Sequence, residues 1–152
     1  MNILMVGMAV TLTITAASGA SAQMFTFESQ NDTPATVGGV GADGAPFGGA
    51  YWTGKSNATF ADGRKTTSTT KCISMSQPPR DSIFMMHGAC DIVSNDGTFS
   101  ALMGCNFVDK AGTETSCVGG LVGKTGAYAG RRGTLTLHGK GAAAKGTGQW
   151  LE

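Results

Sequence analysis

The chain has 152 residues, with 11 Lys and Arg against 10 Asp and Glu, and only 14% of it is charged. The formal charge of +1, with both signs scattered, excludes the basic footprint of a nucleic-acid binder or of a protein held on anionic lipid. Its 24 glycines and many threonines argue against helices and for an all-β chain, because Gly costs about 1 kcal/mol relative to Ala inside a helix and Thr is β-branched.

The N-terminal stretch carries no charged side chain up to Ala22, and its apolar run from Ile3 to Ala17 ends in the small-x-small sequence Ala20-Ser21-Ala22. That pattern reads as a secretory signal peptide over residues 1–22, although the usual Lys or Arg before the apolar run is missing. The expected product starts at Gln23 and is secreted or periplasmic, with no membrane span in the mature form. Residues 23–152 are long enough for one domain that buries roughly two-thirds of its unfolded surface. Export also puts the cysteines in an oxidising compartment and removes nucleotide cofactors from consideration.

Period-two alternation between turn residues predicts eight strands. They are Met24 to Ser29, Ala50 to Phe60, Thr66 to Ser76, Ser82 to Val93, Thr98 to Val108, Glu114 to Val122, Gly133 to Gly139 and Gly146 to Leu151. Asp62-Gly63, Pro78-Pro79, Asp96-Gly97 and Lys110-Ala111-Gly112 supply turns, and no window keeps a helical repeat free of Gly. The glycine-rich stretch Asn31 to Gly49 reads as a surface loop at one mouth, with a lid as the alternative. The expected architecture is an eight-stranded antiparallel up-and-down β-barrel.

Alternation also assigns faces. Phe99, Ala101, Met103, Cys105 and Phe107 share an apolar face that should be buried, and the same logic turns Phe84, Met86, Cys90 and Ile92 inward while Met85, His87 and Asp91 point out. Leu121 joins the inward set, so the cavity lining is read as Phe84, Met86, Phe99, Met103, Phe107 and Leu121. Four cysteines allow three pairings. Cys105 with Cys117 and Cys72 with Cys90 are favoured because each pair straddles a predicted turn; the second would push Ile73 and Met75 outward, and Cys90 meeting Cys105 stays open.

Several motifs look chemical. Gly119 to Thr125 approaches a phosphate-binding loop, but Val118 stands where that motif needs its first Gly, and the stretch Gly126 to Gly130 after it is hostile to helix. Gly39-Val40-Gly41-Ala42-Asp43-Gly44 has dinucleotide-binding spacing, but it lacks a preceding apolar strand, and Pro46 breaks the chain just after it. Met85, Met86, His87 and Cys90 could suggest copper handling, yet strand geometry splits them between two faces. His138 shares a face with Thr134 and Thr136 and reads as solvated, and Arg131-Arg132 reads as a solvated pair that could bind an anion. The carboxylates fall on polar faces or in turns, so no catalytic residue, metal ligand or cofactor is assigned. Asn31-Asp32-Thr33 and Asn57-Ala58-Thr59 fit the glycosylation sequon and matter only in a eukaryotic secretory pathway.

The C-terminal third is the most distinctive part: Gly123, Thr125, Gly126, Tyr128, Gly130 and Gly133, a short strand, then Gly146, Gly148 and Trp150. This G-x-T-G-x-Y-x-G-x-x-G and G-x-G-x-W pattern resembles small secreted proteins of the allene oxide cyclase and dirigent (calycin-type) barrel superfamily. The resemblance implies an eight-stranded barrel with a central cavity, often in a homo-oligomer. Characterised relatives cyclise an unsaturated fatty-acid epoxide or orient coupling phenoxy radicals, but their catalytic residues have no counterpart here. In physical terms Tyr128 can plug a barrel end and Trp150 can pack where the last strand meets the first. The sequence therefore suggests a non-catalytic module holding a small apolar ligand; an isomerase or cyclase comes second and copper handling third.

Overall fold

Burial alternates residue by residue along β1 and β4; on β1 the sequence carries the same alternation, with Phe25 and Phe27 inward and Thr26 and Glu28 outward. In this computed structural model, residues 22–40, 42, 46–76 and 83–151 are described. The strands are β1 (Gln23–Asn31), β2 (Ala35–Val40), β3 (Pro46–Phe60), β4 (Lys65–Ser76), β5 (Met86–Ser94), β6 (Gly97–Phe107), β7 (Glu114–Gly123), β8 (Arg132–Lys140) and β9 (Ala143–Leu151). From β3 to β9 each strand pairs antiparallel with its successor, and β1 closes the cylinder by pairing with β9 on one side and β3 on the other. The result is the expected all-β, eight-stranded antiparallel up-and-down barrel. Among the described residues the only helical element is a single 3-10 turn, Gly126–Tyr128.

The ninth strand corrects the reading of Asn31 to Gly49 as a surface loop. β2 continues the line of β1 and pairs with the first part of β3, from Pro46 to Tyr51, while β1 takes Gly54 to Phe60. Glycine content suggested a loop, but two of these glycines serve a ladder. A Cβ on Gly38 would stand 2.2 Å from the Phe47 carbonyl oxygen, and one on Gly48 2.2 Å from that of Val37, so only glycines admit this approach of the two backbones. β5 also starts later than expected, at Met86 rather than Ser82. Residues 1–21 of the expected signal peptide and the expected Pro78-Pro79 turn lie outside the described residues.

Both favoured cysteine pairings are present. Cys72 lies opposite Cys90 across β4 and β5, and Cys105 opposite Cys117 across β6 and β7, each with Cα atoms 4.1 Å apart. The pairs bridge separations of 18 and 12 residues, for which loop closure gives roughly 3 kcal/mol each. The expected hydrophobic cost is also present, since Ile73 and Met75 point outward and stay 59% and 67% exposed.

Inside, the barrel is filled from one end. Phe25, Phe60, Ile92, Leu121, Leu135, Tyr128 and Trp150 form one buried cluster with Cys72 and Cys90. Glycines on β9 leave room for rings from β1, with Phe25 lying over Gly148 and Phe27 over Gly146.

Candidate functional site: an uncharged lumen closed at one end

The closed end is made by the stretch that carries the glycine and aromatic pattern. After β7 the chain turns through the 3-10 segment and lays Tyr128 across the barrel end. Its ring lies 4.9 Å from both Phe99 and Trp150, and Phe99 meets Trp150 edge-on at 5.3 Å. Tyr128 and Trp150 are almost fully buried. Trp150 pairs with Gln23 of β1, at the seam where the last strand meets the first. The plug is tied to the β5–β6 turn: the amide of Ala127 donates to the Asp96 carbonyl at 2.8 Å, and the amide of Thr98 donates to Thr125 Oγ1 at 3.0 Å. Gly126, at φ 63°, lies against Asp96 and Gly97, where a Cβ would stand 2.2 Å from the Asp96 carbonyl oxygen. Arg131 is drawn to the seam, where its Nη1 donates to Gln23 Oε1 at 3.0 Å and its guanidinium sits 5.8 Å from the Trp150 ring. Arg132 points outward and is exposed.

Toward the other end the lumen opens. Phe27, Trp52, Met103 and Leu137 are only partly buried and pack against the core from that side. The wall of β1, β3 and β4 adds hydroxyls, with Ser29, Ser56 and Ser68 aligned in one cross-strand row and Thr70 beside them, all half-buried. Among the described residues, the inward positions of the eight barrel strands carry no Asp, Glu, Lys, Arg or His. Such a surface can hold an uncharged molecule by apolar contact and hydroxyl hydrogen bonds, but it offers no group to exchange a proton near neutral pH.

The six residues read as cavity lining do not share one environment. Phe99 belongs to the plug and Leu121 to the buried cluster behind it. Met103 lines the middle of the lumen, where Gly119 and Gly88 face it from β7 and β5. Met86, paired with Ser76, stands at the open rim, and there the Phe107 ring packs within 4.0 Å of where a Cβ on Gly112 would lie. Phe84 is outside. It precedes β5, its ring covers Gly104 on the outward face of β6, and it meets the His87 ring edge-on at 5.7 Å. Extending strand alternation past the true start of β5 caused that misplacement. Conversely Trp52, Phe27 and Leu137 were missed, although alternation in their own strands carried the signal.

The sulfur-rich group does not converge. Met86 faces in, Met85 and His87 lie on the outside, and Cys90 is bonded to Cys72. Among the described residues of the barrel strands, charge is confined to the outer surface. Asp91 accepts from Lys124 Nζ and from Ser100 Oγ, both at 2.6 Å, and these contacts hold its carboxyl below the ordinary range, the Lys124 hydrogen bond most strongly. Glu114 accepts from Lys140 at 2.6 Å, with His138 Nε2 at 3.3 Å; the Lys140 hydrogen bond leads in lowering the carboxyl and in turn raises the ammonium. That cluster edges an outer groove of about 570 Å³ that also takes in Glu28, Lys55 and Lys145. Its mixed charges select no one ligand class.

Fold and lumen together define a disulfide-bonded up-and-down barrel with one sealed end and an uncharged interior. No protein-family profile matches the chain, and none of the curated proteins is similar to it in sequence.

Proposed function

We propose that the chain is an exported barrel acting as a non-catalytic binding or structural module, with a small, uncharged and mainly apolar ligand held in the open half of the lumen. One observation carries this reading: among the described residues the inward face of the barrel strands lacks ionisable side chains, and its half-buried Phe27, Trp52, Met103 and Leu137 share the lumen with a row of serine hydroxyls. A charged ligand has no counter-ion there, and transferring it unpaired from water is strongly unfavourable. The hydroxyl row gives a ligand with one hydroxyl or carbonyl edge a preferred orientation. Export is supported by the N-terminal pattern and by four cysteines all in disulfides. The likeness to the allene oxide cyclase and dirigent superfamily supports the same reading through the residues that build the plug, Tyr128 and Trp150, and through the glycines around them.

Native mass spectrometry of the protein after incubation with lipid and phenolic extracts tests the ligand. One neutral compound per chain is expected, together with a change in tryptophan emission from Trp52, since Trp150 is sealed at 1% exposure. Ser56→Phe, which fills the lumen from the β3 wall, should abolish both signals. Recovery of empty protein from both extracts would overturn ligand binding and leave a structural role.

A further inference from the structure

Among the described residues β2 is the only strand with a single neighbour, β3. β9, which flanks β1, starts at Ala143 opposite Gln30, and just beyond that pair the Asn31 amide donates to the Ala142 carbonyl at 2.8 Å. Further on, no strand among the described residues lies on the far side of Ala35–Val40, and Ala35 to Gly39 are all exposed. The direction of the backbone groups follows from β3. Gly48 exchanges hydrogen bonds with Ser76 Oγ on the β4 side, its amide donating at 2.7 Å and its carbonyl accepting at 3.2 Å. On the other side Thr53 accepts from the Asp32 amide at 2.8 Å. Alternation therefore turns Phe47, Gly49 and Tyr51 toward their β2 partners Gly39, Val37 and Ala35. The N–H and C=O groups of Thr36 and Gly38 then point to the open edge, where no described residue pairs with them.

We infer that this edge takes up an extended segment of a different protein as an added strand. Exposed edges are normally guarded by charged residues or Pro, and Ala35-Thr36-Val37-Gly38-Gly39-Val40 carries neither. What the edge presents is a row of backbone donors and acceptors; an extended peptide satisfies them, whereas the hydrocarbon of a bilayer offers no partner. Side chains set the rest of the chemistry. Val37 is 78% exposed on the outward face, and on that face the Phe47 ring reaches across Gly39, 3.7 Å from where a Cβ there would stand. An apolar residue on the outer face of the added strand would cover that ring. Thr36 and Gly38 lie on the opposite, lumen side, where small or hydroxylated residues fit beside them. The partner that matches is an uncharged extended segment about as long as the six residues of β2, with apolar side chains at alternate positions. A second copy of this glycine-rich strand would bring little side chain to the Phe47 ring.

Amide spectra of the isotope-labelled, disulfide-intact protein, titrated with an end-blocked hexapeptide of alternating threonine and valine, test the inference. Saturable shifts centred on Thr36 and Gly38 are expected between about 0.1 and 1 mM peptide, with slowed exchange of those two amides. The same peptide methylated on every backbone nitrogen keeps its side chains but loses its donors, and it should not bind. Thr36→Pro removes one outward N–H without touching a bond to β3, and should weaken binding by at least about 10-fold. If that variant fails to fold, Val37→Lys, a change at an exposed side chain that puts a guarding charge beside the edge, should weaken binding as much. Absence of shifts at about 1 mM overturns the inference, as does equal binding of the methylated peptide. So do shifts confined to the lumen or another wall, edge amides already paired between two copies without peptide, or a folded variant that binds like wild type.

Discussion

Gly148→Ala isolates the packing of one ring against one backbone. Gly148 has an ordinary backbone conformation, so an added methyl brings no dihedral strain. It does bring a collision, because a Cβ there would stand 2.3 Å from Phe25 Cζ and 2.8 and 2.9 Å from the two Cε atoms. Carbon atoms pack at about 3.5–4.0 Å, so the ring must retreat by more than ~1 Å. Its retreat is hindered by Phe60 at 5.4 Å and Phe27 at 6.2 Å between ring centroids. Overpacking of this kind costs about 1–3 kcal/mol, and restricting the unfolded chain returns about 0.4–1 kcal/mol. The net expectation is a loss of about 1–2 kcal/mol, which lowers the melting temperature by roughly 3–10 °C for a domain of this size. Gly88→Ala is the comparator on the same inward face: its nearest neighbours lie at 3.5 Å, the methyl fits, and stability should hold or rise slightly. Urea unfolding with the disulfides intact measures both, and Phe25→Leu completes a cycle in which coupling of at least about 0.5 kcal/mol should appear. If Gly148→Ala is as stable as Gly88→Ala, or if its loss simply adds to that of Phe25→Leu, ring-over-glycine packing does not hold this seam.

Replacing either cysteine pair by alanines should cost about 3 kcal/mol in the same assay, with Cys72/Cys90 slightly the more costly because it closes the longer loop. Tyr128→Ala opens the sealed end and should cost about 3–5 kcal/mol, with a red shift of Trp150 emission reporting entry of water. The Glu114 and Asp91 carboxyls are lowered in the folded protein, so their stabilising contribution is complete above the unfolded carboxylate range and is lost as pH falls through the folded values. Lys140→Met should therefore flatten the acid limb of melting temperature against pH, and the difference from wild type should shrink in high salt because Lys140 is exposed and Glu114 only half-buried. At the alkaline end the sign reverses for Lys140, whose raised ammonium stabilises until pH rises through its folded value.

Much of the barrel was legible because period-two alternation survives wherever one face is apolar. Phe99 to Phe107 marked the inward face, a hairpin centred on Ala111 put Cys105 opposite Cys117, and the glycine and aromatic spacing near the C-terminus marked Tyr128 and Trp150 as end-closing residues. Legibility failed where that contrast is absent. In β4, Thr66, Ser68 and Thr70 face inward between equally polar outward neighbours, so the sequence does not show which hydroxyls line the lumen. In Asn31 to Gly49 the glycines that permit close backbone pairing look the same as glycines that loosen a loop. Phe84 failed for the opposite reason: its phase matched a strand that had not yet begun.

The two disulfides join residues that face each other directly, one pair on β4 and β5 and the other on β6 and β7. A slip of one residue in either hairpin would turn its inward set to water, and a covalent bond between opposite partners forbids that slip. Once oxidised, even an unfolded chain holds two hairpins near native alignment, so the search that remains is chiefly how β1 and β9 find each other to close the cylinder.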